Sequence, residues 1–198
     1  MNNCSCDKNY NKFAPMRAAS YNILTYLMST NENLFKLLKY IDPTVNPYAQ
    51  PNLSFSEKVD MIARNSADTN ESVNKNILFI TELREAFSTN VAQLRVETDV
   101  AKGIDSYRGF MNIWFQIVVP IASEVMGNTP TTGERRTDAI FLELVDSLNG
   151  VIIPNSGFNS PMFINSSADD GAGRDNGTYR KQANTDYTQR WVCFSVLV

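Results

Sequence analysis

Two stretches, Val91-Ala-Gln-Leu-Arg-Val-Glu-Thr-Asp-Val100 and Met111-Asn-Ile-Trp-Phe-Gln-Ile-Val-Val119, decide how this chain folds. In the first, Leu94, Val96, Thr98 and Val100 alternate with Gln93, Arg95, Glu97 and Asp99, the two-residue period of a strand with one apolar and one polar face. In the second, Met111, Ile113, Phe115, Ile117 and Val119 alternate with Asn112, Trp114, Gln116 and Val118. The connection 101–108 makes antiparallel pairing the natural outcome, so a long, twisted hairpin with one wet face is expected.

Upstream the period changes. Met16, Ala19, Ile23, Leu24 and Leu27 recur on one helical face, and Leu34, Leu37, Leu38 and Ile41 do so again behind a cap at Thr30 or Asn31, with Pro43 ending that helix. Pro43, Pro47 and Pro51 force an extended loop. Ser54 and Glu57 then form a capping box that starts a third helix, expected to run to about Arg64 and to bury Val59 and Ile62. A β-prone run, Asn76–Leu83, precedes the hairpin.

Downstream, Ile140, Phe141, Leu144, Val145 and Leu148 mark a fourth helix closed by Gly150 in a left-handed cap. Val151–Ile153 and Met162–Ile164 are short apolar pieces. The stretch 165–186 is polar and reads as a loop or insertion, and Val192, Phe194, Val196 and Val198 line the core side of a last strand whose Trp191 faces the other way. The expected architecture is α+β: an antiparallel sheet with a long hairpin and helices packed on one face. Residues 1–13 read as a flexible arm and 14–198 as a single domain.

The 198 residues are 43% hydrophobic, enough for a sizeable core. Lys and Arg number 18 against 21 Asp and Glu, a formal charge of -3 with no basic run, which disfavours tight gripping of nucleic acid. The apolar run 113–122 is too short to cross a bilayer, and the polar first residues lack the features of a signal peptide, so synthesis in the cytoplasm is expected. Cys4, Cys6 and Cys193 are then expected to be reduced.

Histidine is absent from the sequence, which removes the usual general base near neutral pH and the commonest zinc ligand. Cys4-x-Cys6 with a remote Cys193 does not complete a zinc site. Gly171-Ala-Gly-Arg-Asp-Asn-Gly177 lacks the Gly-Lys-Ser/Thr ending of a phosphate-binding loop, and Asp169, Asp170 and Asp175 lack the spacing of a calcium loop. Glu97, Asp99 and Lys102 resemble the acid, acid and lysine set of metal-dependent nucleases, but strand alternation points Lys102 to the opposite face. No catalytic residue, metal or cofactor is assigned. Arg135 and Arg136 open the fourth helix, where the macrodipole disfavours cations, so they read as a solvated pair or as charges with a partner outside the domain.

Ser20-Tyr-Asn-Ile-Leu-Thr-Tyr-Leu27, Asn33-Leu-Phe-Lys-Leu-Leu-Lys-Tyr40 with Asp42-Pro43, Pro51-Asn-Leu-Ser-Phe-Ser-Glu-Lys58, Arg136-Thr-Asp-Ala-Ile140 and Glu143-Leu-Val-Asp-Ser-Leu-Asn-Gly150 follow in an order that resembles neck proteins of tailed phages, including crAss-like phages. The likeness covers 16–150 and, more faintly, the final strand; the chain departs from the family at 165–186. The resemblance implies a tail-terminator-like fold and a non-enzymatic virion protein, made in the host cytoplasm. It implies a homo-oligomeric ring, a dodecamer or alternatively a hexamer, joining the portal or an adjacent neck ring to tail proteins around transiently passing genomic DNA, with no membrane partner.

The candidate subunit interface comprises Arg95, Glu97, Asp99, Trp114, Gln116 and Val118 on the hairpin, with Arg135 and Arg136. Trp114→Glu is expected to weaken assembly while leaving the monomer folded. The alternatives are a tail-tube or other minor virion protein, a small phage nuclease, and a regulator that binds a host protein.

Overall fold

The computed structural model describes residues 14–63, 74–79, 90–103, 109–127, 134–156, 158, 160–165, 178–182 and 186–197. The expected arm, 1–13, lies outside them. Helix α1 spans Ala14–Thr30 and α2 spans Glu32–Lys39. Asn31 caps α2 by accepting from the Leu34 N–H at 2.8 Å, while its amide donates to the Glu143 carbonyl at 3.1 Å and to the Ser147 hydroxyl at 2.6 Å. One residue therefore caps a helix and ties the α1–α2 corner to the fourth helix, α4, Arg136–Leu148.

Helix α3, Phe55–Asp60, begins at the Ser54–Glu57 capping box but is shorter than its sequence pattern predicts. Val59 is exposed and Ile62 only partly buried, so the expected burial of that pair is corrected. Lys58 takes the inward position instead. Its ammonium donates to the Met28 carbonyl at 2.8 Å, pairs with the Glu32 carboxylate at 2.6 Å and lies 5.1 Å from the centre of the Phe35 ring.

The strands are β1 Ile77–Phe79, β2 Gln93–Gly103, β3 Gly109–Pro120, β4 Phe163–Ile164, β5 Thr178–Gln182 and β6 Tyr187–Leu197. Their order is β1-β2-β3-β6-β4, with β5 also paired to β6. The long hairpin is β2–β3, antiparallel as sequence alternation predicts. The sheet as a whole is mixed, because β1 runs parallel to β2. A parallel neighbour needs a crossover of about a dozen residues, and 80–92 supplies that length. Strand β5 falls inside the stretch read as a polar loop; its pairing with β6 is carried by the backbone and does not require an apolar sequence.

One face of the sheet carries the main core. Leu94, Val96, Met111, Ile113, Phe115, Ile117, Val192, Phe194 and Val196 form one cluster with Ile23, Leu27, Leu34, Leu38, Ile140, Leu144 and Leu148 from α1, α2 and α4. Helices α1, α2 and α4 thus pack on the same side of the sheet, as the periodicity implies. Arg190 on β6 anchors α4 further, pairing with the Asp138 carboxylate and sitting 3.6 Å from the centre of the Phe141 ring.

The proline loop is joined to the segment after β3 through Gly127, whose N–H donates to the Pro43 carbonyl at 2.7 Å. A Cβ at this position would stand 2.6 Å from that same oxygen. Gly127→Ala is expected to destabilise the fold by about 1–3 kcal/mol, the usual cost of forced overpacking, as a lowered midpoint in urea unfolding. An unchanged midpoint would mean that the loop yields freely.

Candidate functional site

The hairpin brings six of the eight candidate interface residues to one sheet face. Arg95 is registered with Gln116 and Glu97 with Trp114, while Asp99 lies opposite Asn112 and Val118 opposite Gln93. Strand β6 continues these rows with Trp191 beside Gln116 and Cys193 beside Trp114. Arg135 and Arg136 are elsewhere, at the start of α4.

This face is not wet as the alternation implies. Gln93, Arg95, Gln116 and Val118 are buried, Trp114 is 2% exposed, and Glu97 is partly covered. Trp114, Trp191 and Cys193 form a second, smaller apolar cluster. Hydrogen bonds offset part of the cost of burying polar side chains here. Arg95 donates to the Gln93 side chain at 3.0 Å, the Gln93 amide donates to the Lys75 carbonyl at 3.2 Å, and the Gln116 amide donates to the Gln189 side chain at 2.6 Å. Burial draws the Arg95 guanidinium down to about 10, with Tyr187 opposing the shift. Side chains buried this way within one chain offer no surface to a second copy in this conformation.

The bulge after Val100 changes one further expectation. Val100 pairs with Met111 but Lys102 pairs with Phe110, so the position of Lys102 returns to the face of Glu97 and Asp99 instead of the opposite one. Among the described residues no group of three or more His, Cys, Asp or Glu side chains could hold a metal ion.

The two arginines diverge. Arg135 is exposed at the N-cap, whereas Arg136 is fully buried. Its Nε donates to the Ser123 carbonyl at 2.9 Å and its Nη1 to the Leu37 carbonyl at 2.8 Å. This corrects the expected solvated pair: backbone carbonyls of α2 and of the turn after β3 replace water around the cation. The α4 dipole is offset by Glu124, which is buried, accepts from the Thr137 N–H at 3.3 Å and binds the Thr137 hydroxyl. Sequence reasoning missed Glu124 because it caps the helix from outside the usual N-cap position.

Burial lowers the Arg136 guanidinium to about 10, opposed by Glu124 and Tyr48. Burial also raises the Tyr48 phenol to about 12, reinforced by the carboxylates of Glu134 and Glu143 and opposed by Arg136. The folded state therefore favours the neutral phenol: its contribution to stability is complete below the ordinary value of 10.0 and is lost as pH rises toward 12. Across that window the stability of the wild type is expected to fall relative to Tyr48→Phe, which has no proton to lose. Urea midpoints at several pH values measure this, and a constant difference would contradict the assignment.

Comparison with protein-family models, curated proteins and solved structures returns no match for this chain. Among the described residues no helix is long and apolar enough to cross a membrane.

Proposed function

We propose that this chain is a structural protein of the neck of a tailed bacteriophage, assembling as a homo-oligomeric ring between the portal, or an adjacent neck ring, and the tail. The sequence basis is the ordered likeness over 16–150. The structural observation that supports assembly is α3, which holds its cation inside and leaves Phe55 59% and Val59 43% exposed. Fully burying such side chains is worth about 1.5–3 kcal/mol each, so a helix oriented this way gains when another protein surface covers it. In this reading a second copy or the neighbouring ring layer is that cover.

The ring is a dodecamer, or alternatively a hexamer, and genomic DNA passes through it held by few phosphate contacts, in keeping with a net charge of -3. Its place is the virion, after synthesis in the host cytoplasm. The test is light scattering of the purified protein, alone and mixed with portal particles, followed by negative-stain imaging. Closed rings or portal-bound layers are expected. A chain that stays monomeric under both conditions contradicts the reading. Phe55→Glu is expected to shift the population toward monomers with an unfolding midpoint close to wild type, since Phe55 is already in contact with water.

A small metal-dependent nuclease is a second reading, favoured by the register that returns Lys102 to the face of Glu97 and Asp99. Cleavage of plasmid DNA with magnesium or manganese, abolished by Glu97→Gln, would favour it over the ring.

A further inference from the structure

Asn149 and Gly150 form the corner between α4 and the segment leading to β4. Asn149 closes the helix by donating its N–H to the Val145 carbonyl, and Gly150 follows at a φ of 78°, a conformation that favours glycine. The cap thus places a glycine directly after an exposed asparagine, the pairing in which a backbone nitrogen is least hindered from attacking the preceding side-chain amide. In that reaction Gly150 N bonds to Asn149 Cγ, the side-chain nitrogen leaves as ammonia, and a five-membered imide remains. Water then opens the imide at either carbonyl, giving aspartate or iso-aspartate.

Each reacting group is held away from this path. The Gly150 N–H donates to the Met162 carbonyl at 2.6 Å, and Asn149 Oδ1 accepts from the Ile164 N–H at 3.1 Å. Ring closure needs Gly150 N nearly eclipsed with Asn149 Cβ, but the Asn149 ψ of 123° turns it aside. Both hydrogen bonds come from residues 162–164. That segment is fastened to the sheet through the two-residue strand β4 and the Asn165 N–H, which donates to the Cys193 carbonyl at 2.9 Å.

We propose that Asn149–Gly150 is a spontaneous deamidation site gated by the docking of β4. While β4 is seated the amide is protected; when it lifts away, the reaction proceeds. The product carries a new carboxylate at the C-terminal end of α4, where the helix dipole disfavours it, and iso-aspartate also lengthens the main chain within the cap. A released edge is thereby marked permanently.

The test incubates the full chain at mildly alkaline pH, native and unfolded in urea, and quantifies deamidation at residue 149 by peptide mass spectrometry. The native chain is expected to react more slowly by a factor of about ten or more, as for an edge that opens only locally; equal rates overturn the proposal. Ile164→Pro removes the donor to Asn149 but retains the Asn165–Cys193 bond, at an edge position where proline is tolerated. The folded variant is expected to deamidate faster than wild type, and an unchanged rate overturns the gate. Should the variant fail to fold, hydrogen exchange at the wild-type Gly150 amide replaces it. That exchange is expected to accelerate in step with deamidation as urea is raised below the unfolding transition, and fast deamidation beside a protected amide overturns the proposal.

Discussion

Replacing Arg136 with methionine is expected to cost about 3–5 kcal/mol of stability, the loss of two buried charge-assisted hydrogen bonds at about 1.5–3 kcal/mol each. The substitution deletes the bonds to the Ser123 and Leu37 carbonyls and leaves buried Glu124 beside the helix N-terminus without its neighbouring cation. Urea unfolding measures the loss. Pairing Arg136→Met with Glu124→Gln removes the stranded charge, so the double variant is expected to recover part of the deficit. Simple additivity of the two effects would show that they are not coupled.

Trp114→Glu is expected to be at least as damaging, and for a reason that reverses the sequence-based expectation. Trp114 is enclosed with Trp191 and Cys193 inside the single chain, so a glutamate would bury a carboxylate and empty an indole-sized space together. Large-to-small changes of this kind cost about 3–5 kcal/mol before any charge penalty. Near-UV circular dichroism and the unfolding midpoint of the variant test this. A stable, native-like Trp114→Glu monomer would mean that the second face opens without cost, and would return Trp114 to the candidate interface.

The legible part of the fold was what repeats locally. Period two gave the antiparallel β2–β3 pairing, and the apolar spacing of 140–148 with Gly150 gave the C-terminal end of α4. Where the reading failed, a polar residue had its partner far away. Gln116 meets Gln189 across 73 positions and Arg136 meets the Leu37 carbonyl across 99, so both looked like solvent-facing residues when judged by their neighbours in the chain. Lys58 failed the same way, because Glu32 and Met28 lie on other helices. Strand β1 is legible as the β-prone run 76–83, but its parallel pairing is not, because the direction of a neighbour leaves no mark on the period. Of the candidate interface, alternation correctly grouped the six hairpin residues on one face but could not tell whether that face was covered.

The strand order carries a consequence for how the chain is made. Strand β6 follows the other described strands in sequence, yet it sits between β3 and β4 and also holds β5. A ribosome that has released everything through residue 182 has therefore produced a sheet split down its middle. At that stage β3 exposes an unpaired edge, and β4 and β5 have nothing to pair with. Nascent chains must wait for 187–197 before the two halves can join, which makes this interval the time when protection by a chaperone matters most. Trimming those residues would take out the central seam of the sheet.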